Sequence, residues 1–415
     1  MQHPTEILLN LFVVFVAAQV GAEIAQRLKL PAVVGEIAAG CAVGPSALGW
    51  IKPNEPLEVL AEIGAVLLLF SVGLETRVGD LRKVGKVASL VGVAGVVLPF
   101  VMGAVWAKLA GFPTPKAMFV AAAFVATSAG ITARVLQDLG VLGRLESRII
   151  LGAAVIDDIL AMLLLGVVTA LQGGGGVDFV RLAVVLAQAL GFLAIITLVG
   201  TRIMRAQSSL LELPINPHSP LTLSLALCLG LAASASWIGL AAIIGAFLAG
   251  MIVAESQQRH ALERQIQPIL SFLVPYFFVV TGAQVDLRAL GSGAVLGTVA
   301  LVTLLAVVGK LAGCGLGAWS LGRRSALIVG VGMVPRGEVG IIVASLGQQA
   351  GVFLKTTYAI IIAMSLLTSV IAPPLLKRLL ATAPPEEPPA PPDDSDVSHL
   401  TPVEETGHHA AHRPH

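Results

Sequence analysis

The sequence predicts an all-α polytopic membrane protein with about thirteen transmembrane helices. Hydrophobic residues make up 56% of the chain and charged residues 12%, whereas a soluble domain carries about 25% charged residues. Apolar stretches of roughly the 20 residues that a membrane helix needs recur from Glu6 to Leu380. The first stretch, 6–27, is expected to remain in the protein, because it lacks the basic segment that precedes the apolar core of a signal peptide.

Each predicted span is a mostly apolar run, and charged or helix-breaking residues lie between most of the runs. In chain order the spans are 6–27, 31–48, 57–75, 84–109, 116–137, 146–171, 179–205, 219–234, 236–254, 266–284, 290–320, 325–350 and 354–380. Only Ser234, Ala235 and Ser236 separate the eighth span from the ninth. Beyond Leu380 the chain is rich in Pro, acidic residues and His, which predicts a disordered cytoplasmic tail over 381–415.

The positively charged residues are distributed unevenly over the connections between the spans. One set of loops and helix ends holds seventeen Lys and Arg residues, and the other set holds six. In membrane proteins the excess of Lys and Arg lies on the cytoplasmic side. The N-terminus is therefore expected outside and the C-terminus in the cytoplasm, which agrees with an odd number of spans.

Two spans are interrupted near the middle of the membrane. The fifth contains FVATSAGITARV and the twelfth contains VGMVPRGEVGIIVAS, and Pro and Gly both favour unwinding of a helix. Each interruption is the fifth span of a six-span block, spans 1–6 and spans 8–13. Equivalent spans are seven apart, which is an odd number, so the two blocks have opposite orientations in the membrane. This layout predicts an inverted-repeat transporter whose binding site lies where the broken helices meet. Two unrelated kinks are the alternative, which the matched positions disfavour.

Asp157 and Asp158 lie side by side in a segment that is otherwise apolar from Ile149 to Leu171. A carboxylate in the centre of a membrane costs about 2.5–3.5 kcal/mol on insertion scales, and intramembrane acids usually mark ion or proton pathways. Adjacent helical residues point ~100° apart, so one aspartate can pair with a cation while the other faces an aqueous cavity. The two are expected to titrate as a coupled pair. Two neutral acids that hold helices together are the alternative.

Lys310 is the candidate for the buried cation. Ten uncharged residues flank it on either side, so its ammonium group has difficulty reaching an interface. A buried lysine either loses its proton or pairs with a carboxylate, and Asp157 or Asp158 is the available partner. Snorkelling of the side chain toward the interface is the alternative.

Four further polar residues lie in the two interruptions. Arg336 and Glu338 are expected to compensate the partial charges at the ends of the half-helices, with direct substrate contact as the alternative. Thr127 and Ser128 offer hydroxyl and freed carbonyl oxygens to a hard cation, or they allow close packing of helices.

Five segments, in this order, resemble the monovalent cation:proton antiporter-2 family. They are VGEIAAGCAVGPSALG, LLLFSVGLE, ATSAGITARVLQDLG, the segment with the paired aspartates, and MVPRGEVGIIVAS. The resemblance covers residues 6–380. It implies an NhaA-like antiporter fold, in which two inverted six-helix repeats contribute crossing broken helices. KefC-type efflux proteins are more distantly similar, and their cytoplasmic nucleotide-binding domain is not expected here.

The resemblance also implies a homodimer of two-domain protomers. The dimerisation domain would comprise 1–76 and 219–284, and the core transport domain would comprise 84–171 and 290–380. The helix over 179–205 would link them. The core domain would move against the dimerisation domain in an elevator movement that exposes the ion site alternately to the two sides.

The function implied by the resemblance is electrogenic sodium/proton antiport in the inner membrane of a bacterial cell. Asp158 would be the ion-binding carboxylate and Asp157 would pair with Lys310, so that Na⁺ and protons compete for the two aspartates. The paired acids resemble electrogenic members of the family, whereas electroneutral members carry Asn at the first position. The expected partners are monovalent cations, protons and lipid. An enzymatic activity, a cofactor and nucleic-acid binding are not expected.

Other transport functions remain as alternatives. One is a K⁺/H⁺ antiporter or a channel-like K⁺ efflux system, which would use the same intramembrane acids. The other is a sodium-coupled symporter of an organic anion, in which Arg336 would meet a substrate carboxylate.

Overall fold

The computed structural model describes residues 4–76, 78–172, 179–206, 219–285, 292–349 and 351–381, and all but the first residue of the predicted tail lies outside them. The regular structure of these residues is helical. The α-helices are α1 Pro4–Arg27, α2 Ala32–Val43, α3 Glu55–Leu74, α4 Val78–Leu109, α5 Thr114–Val125, α6 Ala129–Asp138, α7 Leu145–Gln172, α8 Phe179–Ile195, α9 Thr201–Ala206, α10 Ser219–Trp237, α11 Ala242–Val253, α12 Arg259–Ala283, α13 Gly293–Gly317, α14 Arg323–Gly332, α15 Gly337–Gln349 and α16 Lys355–Ala381. A π-helical turn, Ile196–Gly200, joins α8 to α9, and a 3₁₀ turn, Trp319–Leu321, follows α13.

The helices confirm an all-helical membrane protein. Within the described residues, ten predicted spans coincide with helical segments long and apolar enough to cross a membrane. The second, ninth and twelfth spans instead contain shorter apolar helices, Ala32–Val43, Ala242–Val253 and Val339–Gln348. The number of thirteen spans and the inverted repeat remain predictions.

The boundary predicted between the eighth and ninth spans is wrong. Helix α10 continues through Ser234 and Ser236 to Trp237, and the Ser234 hydroxyl donates a hydrogen bond to the Gly230 carbonyl within the helix (2.7 Å). The chain turns at Gly239, whose φ of +86° is readily adopted only by a residue without a side chain. A serine that bonds back to its own helix does not interrupt it.

The helices pack in two groups. In the first, called the α3 group, α1–α3 and α10–α12 pack together, and α3 lies against both α11 and α12. In the second, called the α4 group, α4–α7 and α13–α16 pack together, and α4 lies against α5, α7 and α13. Helix α8 contacts α7 of the α4 group and α9 contacts α11 of the α3 group. The segment that contains α8 and α9 therefore connects the two groups.

Glycine allows close approach within the α3 group. A Cβ atom added to Gly250 of α11 would lie 2.8 Å from the Cα atom of Gly73 of α3, and one added to Gly73 would lie 2.9 Å from the Cα atom of Gly250. Neither position has room for a side chain. Small residues at such crossings let membrane helices gain van der Waals contact along their backbones.

Candidate ion-binding site

The two interrupted spans form broken helices whose unwound segments contact each other. Helix α5 ends at Val125 and α6 begins at Ala129, and the chain is likewise unwound between the end of α14 and the start of α15. The Ser128 backbone N–H donates to the Pro335 carbonyl (2.7 Å), and the Thr132 hydroxyl donates to the Gly332 carbonyl (2.6 Å). These bonds satisfy backbone groups that no water reaches, as unwound chain inside a membrane requires.

Arg336 neutralises the carbonyl ends of the half-helices. Its guanidinium is completely buried and donates three hydrogen bonds, to the carbonyls of Val334 (2.9 Å), Phe124 (2.7 Å) and Ala306 (2.9 Å). Phe124 lies in the last turn of α5, and Val334 lies just beyond the end of α14. The positive charge of Arg336 therefore lies against the negative ends of two helix dipoles.

Serine side chains cap the opposite ends, where backbone N–H groups lack partners. The Ser128 hydroxyl accepts a hydrogen bond from the Ile131 N–H at the start of α6 (3.4 Å). The Ser369 hydroxyl of α16 accepts one from the Gly337 N–H at the start of α15 (3.0 Å). These serines leave fewer bare backbone groups at the crossing.

Asp157 and Lys310 form a completely buried ion pair. Lys310 Nζ lies 2.5 Å from Asp157 Oδ1, and neither side chain is exposed. The ammonium also donates a hydrogen bond to the Gly95 carbonyl of α4 (2.8 Å). Three helices, α4, α7 and α13, thus meet at one charged contact.

The Gly95 carbonyl is available to Lys310 because of the sequence of α4. Pro99 lies inside this helix, four residues after Gly95. Proline has no N–H group and cannot donate the helical hydrogen bond to the carbonyl four residues before it. The Lys310 ammonium bonds to the carbonyl that the helix leaves without its usual partner.

The second oxygen of Asp157 is placed to accept a further ligand. Among the described residues, Asp157 Oδ2 has no hydrogen-bond partner at good geometry. The Thr127 side chain interacts with the Asp157 carboxylate, although its hydroxyl also lies 3.5 Å from the Val125 carbonyl. A small cation that replaced Lys310 would find carboxylate and hydroxyl oxygens here, which are the ligands that hard cations prefer.

Asp158 lies at the boundary between the two helix groups. Its side chain is half-buried and lines a cavity of about 10 Å³, which is room for about one water molecule. The α4 group contributes Ala129 at the start of the half-helix α6, and the α3 group contributes Leu69 and Phe247. Asp158 therefore lies at the contact between the two helix groups.

The structure brings most of the predicted site residues to one place. Thr127, Asp157, Lys310 and Arg336 belong to one buried cluster, since Thr127, Lys310 and Arg336 all act on the Asp157 carboxylate. The side chain of Glu338 lies outside the described residues, so its predicted part in dipole compensation has no structural account. Within the described residues, no cluster of three His, Cys, Asp or Glu side chains could hold a resident metal ion.

Two features of the site have no clear signal in the sequence. The Gly95 carbonyl became a ligand of Lys310 only because α4 and α13 lie side by side, and a glycine in an apolar helix looks like ordinary packing. Ser369 caps a half-helix that lies 32 residues earlier in the chain. For the Gly95 carbonyl, the sequence signal that could have been used is Pro99, because a proline leaves the carbonyl four residues earlier without a helical donor.

Comparison with known proteins identifies similar sequences along nearly the whole chain. Residues 12–382 match the family described as sodium/hydrogen exchanger, transmembrane. The high-affinity Na⁺/H⁺ antiporter NhaS3 of Synechocystis sp. is 35% identical over 408 residues, covering 88% of each chain. The Na⁺/H⁺-K⁺ antiporter GerN of Bacillus cereus is 34% identical over 373 residues, covering 88% of this chain and 94% of its own.

A solved structure has a similar fold. The sodium proton antiporter MjNhaP1 from Methanocaldococcus jannaschii, solved at pH 8, superposes with a TM-score of 0.62 over 89% of this chain and 95% of its own. The two sequences are 18% identical, so this likeness concerns the fold alone.

Proposed function

Because the chain belongs to the sodium/hydrogen exchanger family, we propose that it is an electrogenic sodium/proton antiporter that works by alternating access. The observation that carries the proposal is the buried Asp157–Lys310 pair beside Asp158 at the crossing of two broken helices. Charged groups at this depth are costly and are retained in membrane proteins that move ions or protons.

The exchange follows from the charges of the three side chains. Without Na⁺, Asp158 carries a proton and Asp157 pairs with the Lys310 ammonium. Na⁺ binds between the two carboxylates, with oxygens of Thr127 and Ser128 as additional ligands, and takes the place of the ammonium. Asp158 and Lys310 then each release one proton to water. One positive charge enters as Na⁺ and two leave as protons, so the cycle moves net charge and responds to voltage by ~2.3 kcal/mol per charge per 100 mV.

The position of Asp158 between the helix groups supports alternating access. The α4 group would carry the ion site and the α3 group would stay in place, as an elevator that moves against a scaffold formed by a homodimer. In both loaded states opposite charges compensate each other: Asp157, Lys310 and protonated Asp158 sum to zero, and the Na⁺-loaded site carries one net negative charge. A bare, uncompensated charge crossing the low-dielectric barrier would be far more costly. In the described conformation, the apolar side chains of Leu69 and Phe247 close around Asp158.

The cavity beside Asp158 has room for a single dehydrated monovalent cation, since about 10 Å³ holds about one particle the size of a water molecule. Exchange of K⁺ is the second candidate, because the name of the relative GerN includes K⁺.

The test is cation-induced proton movement in proteoliposomes that contain the purified protein and a trapped pH dye. Addition of Na⁺ should change the internal pH in wild type and fail to do so in Asp158→Asn, with K⁺ much less effective than Na⁺. A potassium/valinomycin voltage clamp should alter the rate. Glu62→Gln, which neutralises an exposed acid of α3, is the matched control and should behave as wild type. Retention of full exchange in Asp158→Asn, or transport of an organic anion in place of protons, would refute the mechanism.

A further inference from the structure

Polar contacts join the two helix groups at one end of the molecule. Gln137, in the last turn of α6, donates hydrogen bonds to the Ser71 hydroxyl (2.8 Å) and to Glu75 Oε1 (3.1 Å), at the end of α3. Lys377, near the end of α16, donates to the Lys29 carbonyl, in the turn between α1 and α2 (3.0 Å). All of these residues lie at the end where Lys and Arg accumulate, which is the predicted cytoplasmic side.

We propose that Gln137 is a latch residue, which holds the α4 group against the α3 group in the described conformation. Its hydrogen bonds to Ser71 and Glu75 must break before the ion site opens to the cytoplasm. The proposal rests on the proposed alternating access. Gln137 touches neither the cation nor the paired aspartates, so its part in the cycle is positioning.

The geometry of the carboxamide suits this part. Its NH₂ group has two donor hydrogens, and Ser71 and Glu75 accept one each. Ser71 is 1% exposed, so its hydroxyl lies in a dry contact that water can reach only after the groups separate. The α3–α6 contact is also one of the places where the two groups pack directly.

The surroundings of Glu75 make the latch sensitive to pH. Burial raises the pKa of the Glu75 carboxyl above its ordinary value, and Glu263 of α12 adds to the rise, while Gln137 and Arg259 oppose it. Arg259 is paired with Glu263, which also bonds to His260. Of the other helices that pack on α3, α10 and α11 contain no charged side chain, Glu23 and Arg27 of α1 pair with each other at an exposed site, and Arg134 of α6 pairs with Asp138 one turn later.

The sign of the pH dependence follows from that shift. The latched state holds the Glu75 proton more tightly than the released state, in which water reaches the carboxyl. The free energy by which protonation of Glu75 favours the latched state is therefore complete below the ordinary pKa of a glutamate. It is lost as pH rises through the raised pKa of Glu75. The latch holds at acidic pH and loosens at alkaline pH on its own side of the membrane.

The experiment measures release directly, without transport. A single cysteine, Leu69→Cys, is placed beside Asp158 in a protein whose Cys41, Cys228 and Cys314 are replaced by alanine. Its rate of reaction with a membrane-impermeant maleimide, added to vesicles from each side in turn, reports how often the α4 group separates from the α3 group on that side.

With the latch intact, labelling from the latch side should be slow at pH 6 and faster at pH 8.5. Gln137→Ala should accelerate labelling at pH 6 by about fivefold to thirtyfold, the effect of losing two hydrogen bonds that contribute about 0.5–1 kcal/mol each. Glu75→Gln, which imitates the neutral acid and still accepts the hydrogen bond, should stay slow at both pH values. Gln265→Ala removes an exposed carboxamide at the same end of the molecule and should match the unaltered latch.

Equal labelling of Gln137→Ala and the intact latch at every pH would overturn the proposal, as would an unchanged pH dependence in Glu75→Gln. Ser71→Ala provides a second route if Gln137→Ala fails to fold, because it removes one of the same two hydrogen bonds from the α3 group. If wild type moved no protons with any cation, the proposed antiport would fall, and the labelling rates would still show whether Gln137 holds the two groups together.

Discussion

Lys310 is held by two ligands of different origin. The Asp157 carboxylate supplies charge, and the Gly95 carbonyl supplies a hydrogen bond that exists because Pro99 cannot complete the α4 ladder. A buried charge pair is stable only when additional hydrogen bonds satisfy the groups that the pair leaves over. The proline therefore has a consequence beyond the local shape of α4, since it frees a carbonyl that holds the ammonium which Na⁺ displaces in the proposed cycle.

We expect Pro99→Ala to increase the apparent affinity for Na⁺. The alanine N–H would donate to the Gly95 carbonyl and compete with the Lys310 ammonium, so that less free energy is needed to remove Lys310 from the site. The KM for Na⁺ in proteoliposomes should fall by about twofold to fivefold, as expected for weakening of one hydrogen bond to a charged group. Pro268→Ala replaces an exposed proline inside α12 and should leave the KM unchanged. An unchanged KM in Pro99→Ala would show that the Gly95 carbonyl does not contribute to holding Lys310.

At the scale of helices, sequence patterns predicted the interruptions better than the ends. Pro335 and Gly337 identify the unwound segment of the twelfth span because their effect on the backbone is local. Ser234 and Ser236 gave a false boundary, since a serine hydroxyl can bond to its own helix as readily as to a turn. The ligands that cross between helices, such as the Gly95 carbonyl and Gln137, depend on which helices pack together, and the sequence carries no local mark of that.

The crossing of the broken helices depends on Gly337. Its φ is +42°, and a Cβ atom there would lie 2.9 Å from Ser128 Oγ and 2.8 Å from the Ile131 side chain. Both the backbone conformation and the contact disfavour a larger residue. The start of α15 and the unwound segment before α6 are therefore fixed together at this point.

Gly337→Ala should lower the thermal stability of the purified protein and reduce its maximal exchange rate. The left-handed backbone conformation alone costs about 1–3 kcal/mol in a residue with a side chain, and the clash with Ser128 adds to that cost. Gly297→Ala is the control: this glycine lies in helix α13 with nothing within 4 Å of an added Cβ, so alanine should be neutral or slightly stabilising there. Equal melting temperatures for the two variants would mean that the crossing tolerates rearrangement.

At the scale of the whole molecule, the uneven distribution of Lys and Arg predicts which side of the membrane the latch faces, and therefore which pH acts on Glu75. Seventeen basic residues at one end against six at the other predict that the end with Gln137 and Glu75 faces the cytoplasm. Under that orientation, an alkaline cytoplasm would weaken the latch and let the ion site open inward. Internal pH would then set the rate at which the carrier loads from the cytoplasm.

The orientation can be measured with one cysteine at each end, in the protein without its three native cysteines. Gly143, between α6 and α7, and Gly293, at the start of α13, are exposed with nothing near an added Cβ. In right-side-out vesicles, an impermeant maleimide should label Gly293→Cys and leave Gly143→Cys unlabelled until the membrane is permeabilised. The reverse pattern would place the latch outside. The pH dependence of Glu75 would then make the transporter respond to external acidity, although the chemistry at Asp157, Asp158 and Lys310 would remain the same.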